Sequence, residues 1–217
     1  MADIELVIFD WDGTLMDSAD QIVRSVRAAA RDLGVAEPSD AAARDIIGLA
    51  LPEAMRILFP QVAEADLLAL RQRYATHFVG GLGGHSQPFA GAEGLLRDLR
   101  GQGRALAVAT GKARPGLDRV MAQTGWGALF AATRCADETA SKPDPRMLLE
   151  LLEELRVPAR RAVMVGDTTY DLAMAAAIGM PSVGVTYGVH APERLLQHGP
   201  LALCDDIDAL AARLASL

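Results

Sequence analysis

The chain has 217 residues, 51% of them hydrophobic and 23% charged, with a formal net charge of −7. That balance argues against a disordered chain, and no apolar run approaches the ~18 residues of a membrane-spanning helix. An acidic protein lacks the basic face that displaces counterions, so neither nucleic acid nor an anionic membrane is an expected partner.

The length exceeds a usual domain of ~150 residues without reaching two, which suits one core with an insert. The opening MADIEL is acidic before it is apolar and lacks the basic and long apolar regions of a signal peptide, so a cytoplasmic setting is expected. Cys135 and Cys204 stand apart without a CxxC pair or a flanking His, and both read as small core residues. Only Lys112 and Lys142 among the 21 basic residues are lysines. In a chain that otherwise uses Arg, a compact ammonium on a flexible stem marks each as a site candidate.

A first buried strand is predicted over residues 4–9. After Leu15, helical signals follow one another for about 70 residues with no convincing strand. Asp17 or Ser18 can cap a helix whose Ile22, Val26, Ala30 and Leu33 form one stripe, closed by Gly34. Ser39 can cap a second, Pro52 fits the first turn of a third that Pro60 ends, and Leu67, Leu70, Tyr74 and Phe78 line a fourth. Gly80, Gly81, Gly83 and Gly84 then suit a hinge better than an element.

Beyond the glycines, continuous apolar runs at 105–109, 162–165 and 182–185 read as strands covered on both faces. Helices are expected around 91–102, 114–124, 144–155 and 169–178. A last one carries Ile207, Leu210, Leu214 and Leu217 on one face. The pattern predicts an α/β fold: a doubly wound parallel sheet over residues 1–15 and 85–217, interrupted by an all-helical insert over 16–84.

Carboxyl ends of parallel strands share one edge, so Asp10, Asp12, Thr110 and Asp167 are expected to converge there. A lone Asp after a strand is commonly a helix cap, but several acids together are another matter. Each like-charged pair a few Å apart repels by ~4 kcal/mol at an effective dielectric near 20. A divalent cation resolves that conflict, and carboxylates without His or thiolate favour Mg²⁺ over zinc. Lys142, in the turn SKPDP, can bridge to Asp167 or Asp171 and also meet a phosphoryl oxygen. Thr110 and the Gly111 amide offer further donors to an oxyanion, and Lys112 serves the phosphate or faces solvent.

DWDGT, TGK, SKP and GDTTYD, in this order over almost the whole chain, resemble the four motifs of the haloacid dehalogenase superfamily. The helical insert resembles its small cap, and IIGLALPEAM and YGVHAPERL look most like the phosphoglycolate phosphatase group. The resemblance implies a phosphatase in which Asp10 is the nucleophile and forms an aspartyl-phosphate. Asp12 would be the acid and base for leaving alkoxide and water. It implies Mg²⁺ held by the Asp10 and Asp167 carboxylates and the Asp12 carbonyl, supported by Asp171. Thr110, Gly111 and Lys142 would bind the transferring phosphoryl.

The substrate would be a small phosphorylated metabolite of the 2-phosphoglycolate type. A cap closing over it would be gated at the glycine run and near Leu15 and Met16. Residues 48–52 are the loop expected to reach the substrate, with Arg24, Arg44 and Arg56 as possible receivers of a carboxylate. Trp11 is expected either in core packing beneath the cap or against substrate. The alternatives are a sugar-phosphate mutase of the same superfamily and, from another class, a phospho-aspartate signalling receiver. Asp12, which hastens loss of the phosphoryl, and the helical insert both count against a receiver.

Overall fold

A computed structural model describes residues 3–82 and 84–217. Met1 and Ala2, which open the segment read for a signal peptide, and Gly83, one of the glycines read as a hinge, lie outside the described residues. The strands along the chain are β1 (Leu6–Phe9), β2 (Met16–Asp17), β3 (Gln87–Pro88), β4 (Ala105–Thr110), β5 (Ala132–Cys135), β6 (Ala162–Gly166), β7 (Ser182–Val185) and β8 (Leu203–Cys204). The helices are α1 (Ala19–Asp32), α2 (Asp40–Asp45), α3 (Leu51–Leu58), α4 (Glu64–Val79), α5 (Ala92–Gly101), α6 (Arg114–Thr124), α7 (Arg146–Leu155), α8 (Thr169–Ala176), α9 (Pro192–Leu196) and α10 (Ile207–Ala215).

Six strands form one parallel sheet in the order β5-β4-β1-β6-β7-β8. β1 is central, with Leu6 opposite Ala105 on one side and Ala162 on the other. Side chains alternate across a strand, and the buried residues of β1 divide accordingly. Val7 and Phe9 pack with Leu96 of α5, Leu117 of α6 and Leu210 of α10, while Leu6 and Ile8 pack with Leu148 of α7 and Met174 of α8. The expected doubly wound α/β architecture is therefore present, with a layer of helices on each face. Cys135 and Cys204 are free and buried in it. Among the described residues no helix is long and apolar enough to cross a membrane.

α1 to α4 bury a separate cluster built on Ile22, Val26, Ile46, Ile47, Met55 and Leu70. Ser39 caps α2 by accepting from the Ala42 amide, and Pro52 sits in the first turn of α3, as their types require. Ser18 precedes α1 without making the cap bond, because its hydroxyl is used elsewhere.

Three features depart from the sequence reading. Residues after Leu15 are not all helical, since β2 pairs antiparallel with β3 in a short ribbon at the base of the helical layer. Two residues on each side are too few to show a period. β5 and β8 were not expected either: they are the sheet's edges, and Thr133 and Arg134 break the apolar run that marks a doubly covered strand.

Candidate active site

β1, β4 and β6 are neighbours, so the residues that follow them arrive at one place. Asp10 follows β1, Thr110 ends β4, and Asp167 follows β6. Asp10 and Asp167 are buried together with Asp171 from the first turn of α8. One carboxylate oxygen from each of the three lies within 4.8 Å of the others.

Lys142 is fully buried among them, its Nζ 2.7 Å from Asp10 Oδ1 and 2.6 Å from Asp171 Oδ1. Burial works against its charge, yet the two carboxylates more than offset that and hold its pKa above the ordinary lysine range. The other oxygen of Asp171 accepts from the Thr168 amide and hydroxyl, at 3.1 and 2.7 Å, in a capping box that fixes α8. Both oxygens of Asp171 are thus engaged. Asp167 accepts from Thr14 Oγ1 at 2.9 Å and from the Val189 amide at 2.9 Å.

Asp10 keeps one oxygen in reserve. Oδ2 is buried and has no hydrogen-bond partner among the described residues, while Asp10 itself borders a cavity. A buried acceptor without a donor is costly, which makes it the atom for a cation or an electrophile to meet. Burial pushes the Asp10 carboxyl well above its usual range. Lys142 opposes the shift, and the charges of Asp171 and Asp167 add to it. Asp167 is pushed up to about 7 by burial and by Asp171, against the Val189 and Thr14 bonds.

Asp12 is oriented from two sides. Ser18 Oγ donates to Oδ1 at 2.6 Å, and Lys112 Nζ lies 2.9 Å from Oδ2 and 4.8 Å from the centre of the Phe78 ring. Lys112 is therefore not solvent-facing; its ammonium is committed to Asp12. Thr110 is fully buried and its hydroxyl accepts from the Lys112 amide at 3.2 Å, so Gly111 and Lys112, not Thr110, face the cavity.

Trp11 packs edge-on to Trp126 at 5.8 Å inside the core, which supports its packing role. Arg44 pairs with Asp20, Arg56 with Glu64, and Arg24 hydrogen-bonds to the Leu82 carbonyl; none borders the cavity.

The cavity has a volume of about 270 Å³ and lies between the strand ends and the helical layer. Gly48 and Leu49 border it, as expected of that loop. Their carbonyls press on Gly111, where an added Cβ would fall 2.4 Å from Gly48 O and 2.6 Å from Leu49 O. Only glycine allows that approach. Further contacts close the seam: Ser141 Oγ accepts from the Ala50 amide at 2.9 Å, Tyr170 donates to the Asp45 carbonyl at 2.8 Å, and Arg194 pairs with the Asp45 carboxylate.

Sequence reasoning missed the positioning parts. Ser18 looked like a helix cap and Thr14 like the tail of a motif. The Val189 amide has no side-chain signature at all. DWDGT held a hint in Gly13, whose φ of 82° and whose closeness to Asp167, 2.2 Å from an added Cβ, both exclude a side chain.

Residues 7–185 match the model of the haloacid dehalogenase-like hydrolases. The chain is 36% identical over 210 residues to "Probable phosphatase IndB" of Dickeya dadantii, covering 92% of this chain and 89% of that one. It is 31% identical over 214 residues to a phosphoglycolate phosphatase of Agrobacterium fabrum, covering 96% and 91%. A solved haloacid dehalogenase-like hydrolase from Bacteroides fragilis shares the fold, with a TM-score of 0.88 at 24% identity over 96% of this chain and 100% of that one.

Proposed function

The chain belongs to the haloacid dehalogenase-like hydrolase family and is a phosphatase of it, and we propose that it is a Mg²⁺-dependent phosphomonoesterase working through an aspartyl-phosphate on Asp10. The observation that carries this reading is the unpartnered Oδ2 of Asp10, a residue that borders the cavity, with Lys142 holding the other oxygen of the same carboxylate. Held at one oxygen and bare at the other, Asp10 presents one lone pair toward a phosphorus atom.

Asp12 protonates the leaving alkoxide and then takes a proton from the water that cleaves the intermediate. Ser18 and Lys112 fix its carboxylate for both transfers. Lys142 and the Gly111 amide bear on the charge of the transferring phosphoryl, and Thr110, through its bond to the Lys112 amide, shapes that turn. Residues 16–84 act as the cap over a core made of 1–15 and 85–217, closed along the Gly111 seam and excluding water during the first displacement. A cytoplasmic setting suits the two buried free thiols.

A hard cation fits the donors present: oxygen ligands only, in a cluster of buried carboxylates whose pKa values are raised by burial and by one another's charge. The carboxylates of Asp10 and Asp167 and the carbonyl of Asp12 would hold Mg²⁺, while Asp171, spent on Lys142 and Thr168, supports from behind. Bound there, the ion supplies charge neutralisation at the phosphoryl group.

Because Asp167 titrates at about 7, protons compete with the ion. Mg²⁺ affinity measured by calorimetry should strengthen from pH 6 to pH 8, falling by about tenfold per pH unit below 7 for each proton displaced. An affinity independent of pH across that window would remove the carboxylates from the ligand set.

The phosphoglycolate phosphatases among the relatives support a substrate as small as 2-phosphoglycolate. Two successive displacements preserve configuration at phosphorus. A chiral thiophosphate ester turned over in isotopically labelled water should therefore give retention, and inversion would refute the covalent intermediate.

A further inference from the structure

The cavity over Asp10 is unlike its floor. Acidic and basic groups occupy only the side opposite the inserted helices: Asp10, Asp12 and Lys112 after strand ends, and Arg119 on α6. The opposite wall comes from α1, the α2–α3 loop, α3 and α4, and presents Ile22, Val26, Ile47, Leu51, Tyr74 and Phe78. No charged side chain from these helices borders the space. Lys112 is already committed to Asp12, which leaves Arg119, on α6, as the cation at the cavity's edge.

We infer that the alcohol released from the substrate is apolar, a branched or straight alkyl or an aryl group, and that the helical wall selects for it. This rests on the phosphomonoesterase reading above and departs from the relatives' substrate: the ester is small but apolar, not a carboxylate of the 2-phosphoglycolate type. With the phosphorus at Asp10 Oδ2, the ester oxygen is the point from which the rest of the substrate extends into the helical side. A carboxylate carried against that wall meets isoleucine, leucine and aromatic carbon and forfeits its hydration, with no cation on the wall itself to replace it. An alkyl chain meets the same atoms and leaves water behind. Tyr74 and Phe78, stacked at 5.7 Å, form a flat flank suited to an aromatic or branched group.

The test compares esters of matched intrinsic reactivity by phosphate release in Mg²⁺. 3-Methylbutyl phosphate should exceed 2-phosphoglycolate in kcat/KM by about tenfold or more. In a straight series from ethyl to pentyl phosphate, kcat/KM should rise roughly fourfold per methylene, the worth of one buried CH₂. Leu51→Asn, at a half-buried position, should lower kcat/KM for 3-methylbutyl phosphate by a larger factor than for ethyl phosphate; an equal loss on both would overturn selection by the wall.

Equal or faster turnover of 2-phosphoglycolate would also overturn the inference, and loss of that advantage in Arg119→Ala would identify the cation responsible. Either result leaves the phosphatase reading standing. Absence of Mg²⁺-dependent hydrolysis of every ester would instead refute that reading and this inference with it.

Discussion

Asp10→Asn should reduce Mg²⁺-dependent hydrolysis of p-nitrophenyl phosphate by at least about a hundredfold, a loss of ~2.7 kcal/mol of transition-state stabilisation. The amide has nearly the shape of the carboxylate, so the cavity floor keeps its form, but its nitrogen has no lone pair to give and its oxygen is a poor nucleophile. Folding should survive the change. Asp10 is buried with its carboxyl pushed well upward by desolvation, so a neutral group removes a burial cost, and Lys142 retains its 2.6 Å partner Asp171. A melting temperature within a few degrees of wild type beside lost turnover is the expected pair of readings. Residual activity above a hundredth of wild type in a folded variant would end the assignment of Asp10 as nucleophile.

Lys142→Ala should be damaging in both respects, and more so than Lys112→Ala. Removing Lys142 leaves Asp10 and Asp171 facing each other in the interior, with Asp167 close by. Stranding buried charge in this way costs about 3–5 kcal/mol, or a fall in melting temperature of roughly 10 °C for a chain of this size.

The loss has a pH signature. Asp167 already titrates at about 7, above its unfolded value, so its contribution to stability is present in acid and lost as pH rises through 7. Without Lys142 the carboxylates rise further. The gap between variant and wild type should therefore widen from pH 6 to pH 8 and narrow in acid. Lys112 borders the cavity, and its partner Asp12 keeps the Ser18 bond after truncation, so the penalty there is smaller. A Lys112 variant more impaired than the Lys142 variant, in melting and in turnover, would remove Lys142 from the centre of the site.

The sheet was legible because doubly covered strands must be continuously apolar, and the runs at 105–109 and 162–165 could be little else. The convergence of Asp10 and Asp167 follows from that topology, since parallel strands end on one edge. What escaped was what depends on no period and no side-chain type. β2 and β3 are two residues each, β5 carries polar residues because it is an edge, and the Val189 bond to Asp167 comes from backbone.

Ser18 was misread for a different reason. It stands where a cap residue belongs, and only the fold of DWDGT, which turns back at Gly13, brings Asp12 within 2.6 Å of its hydroxyl. Lys112 could not be settled from sequence, because its partner Asp12 lies a hundred residues earlier.

The chain leaves the sheet for the helical layer at Met16–Asp17 and returns at Gln87–Pro88, and these two crossings lie side by side as β2 and β3. An insertion whose entrance and exit touch is a cassette: it can be exchanged at two adjacent splice points without lengthening either connection. Grafting a foreign helical layer between those two junctions, with the Asp10 floor untouched, is thus the most economical route to a redesigned enzyme with new selectivity.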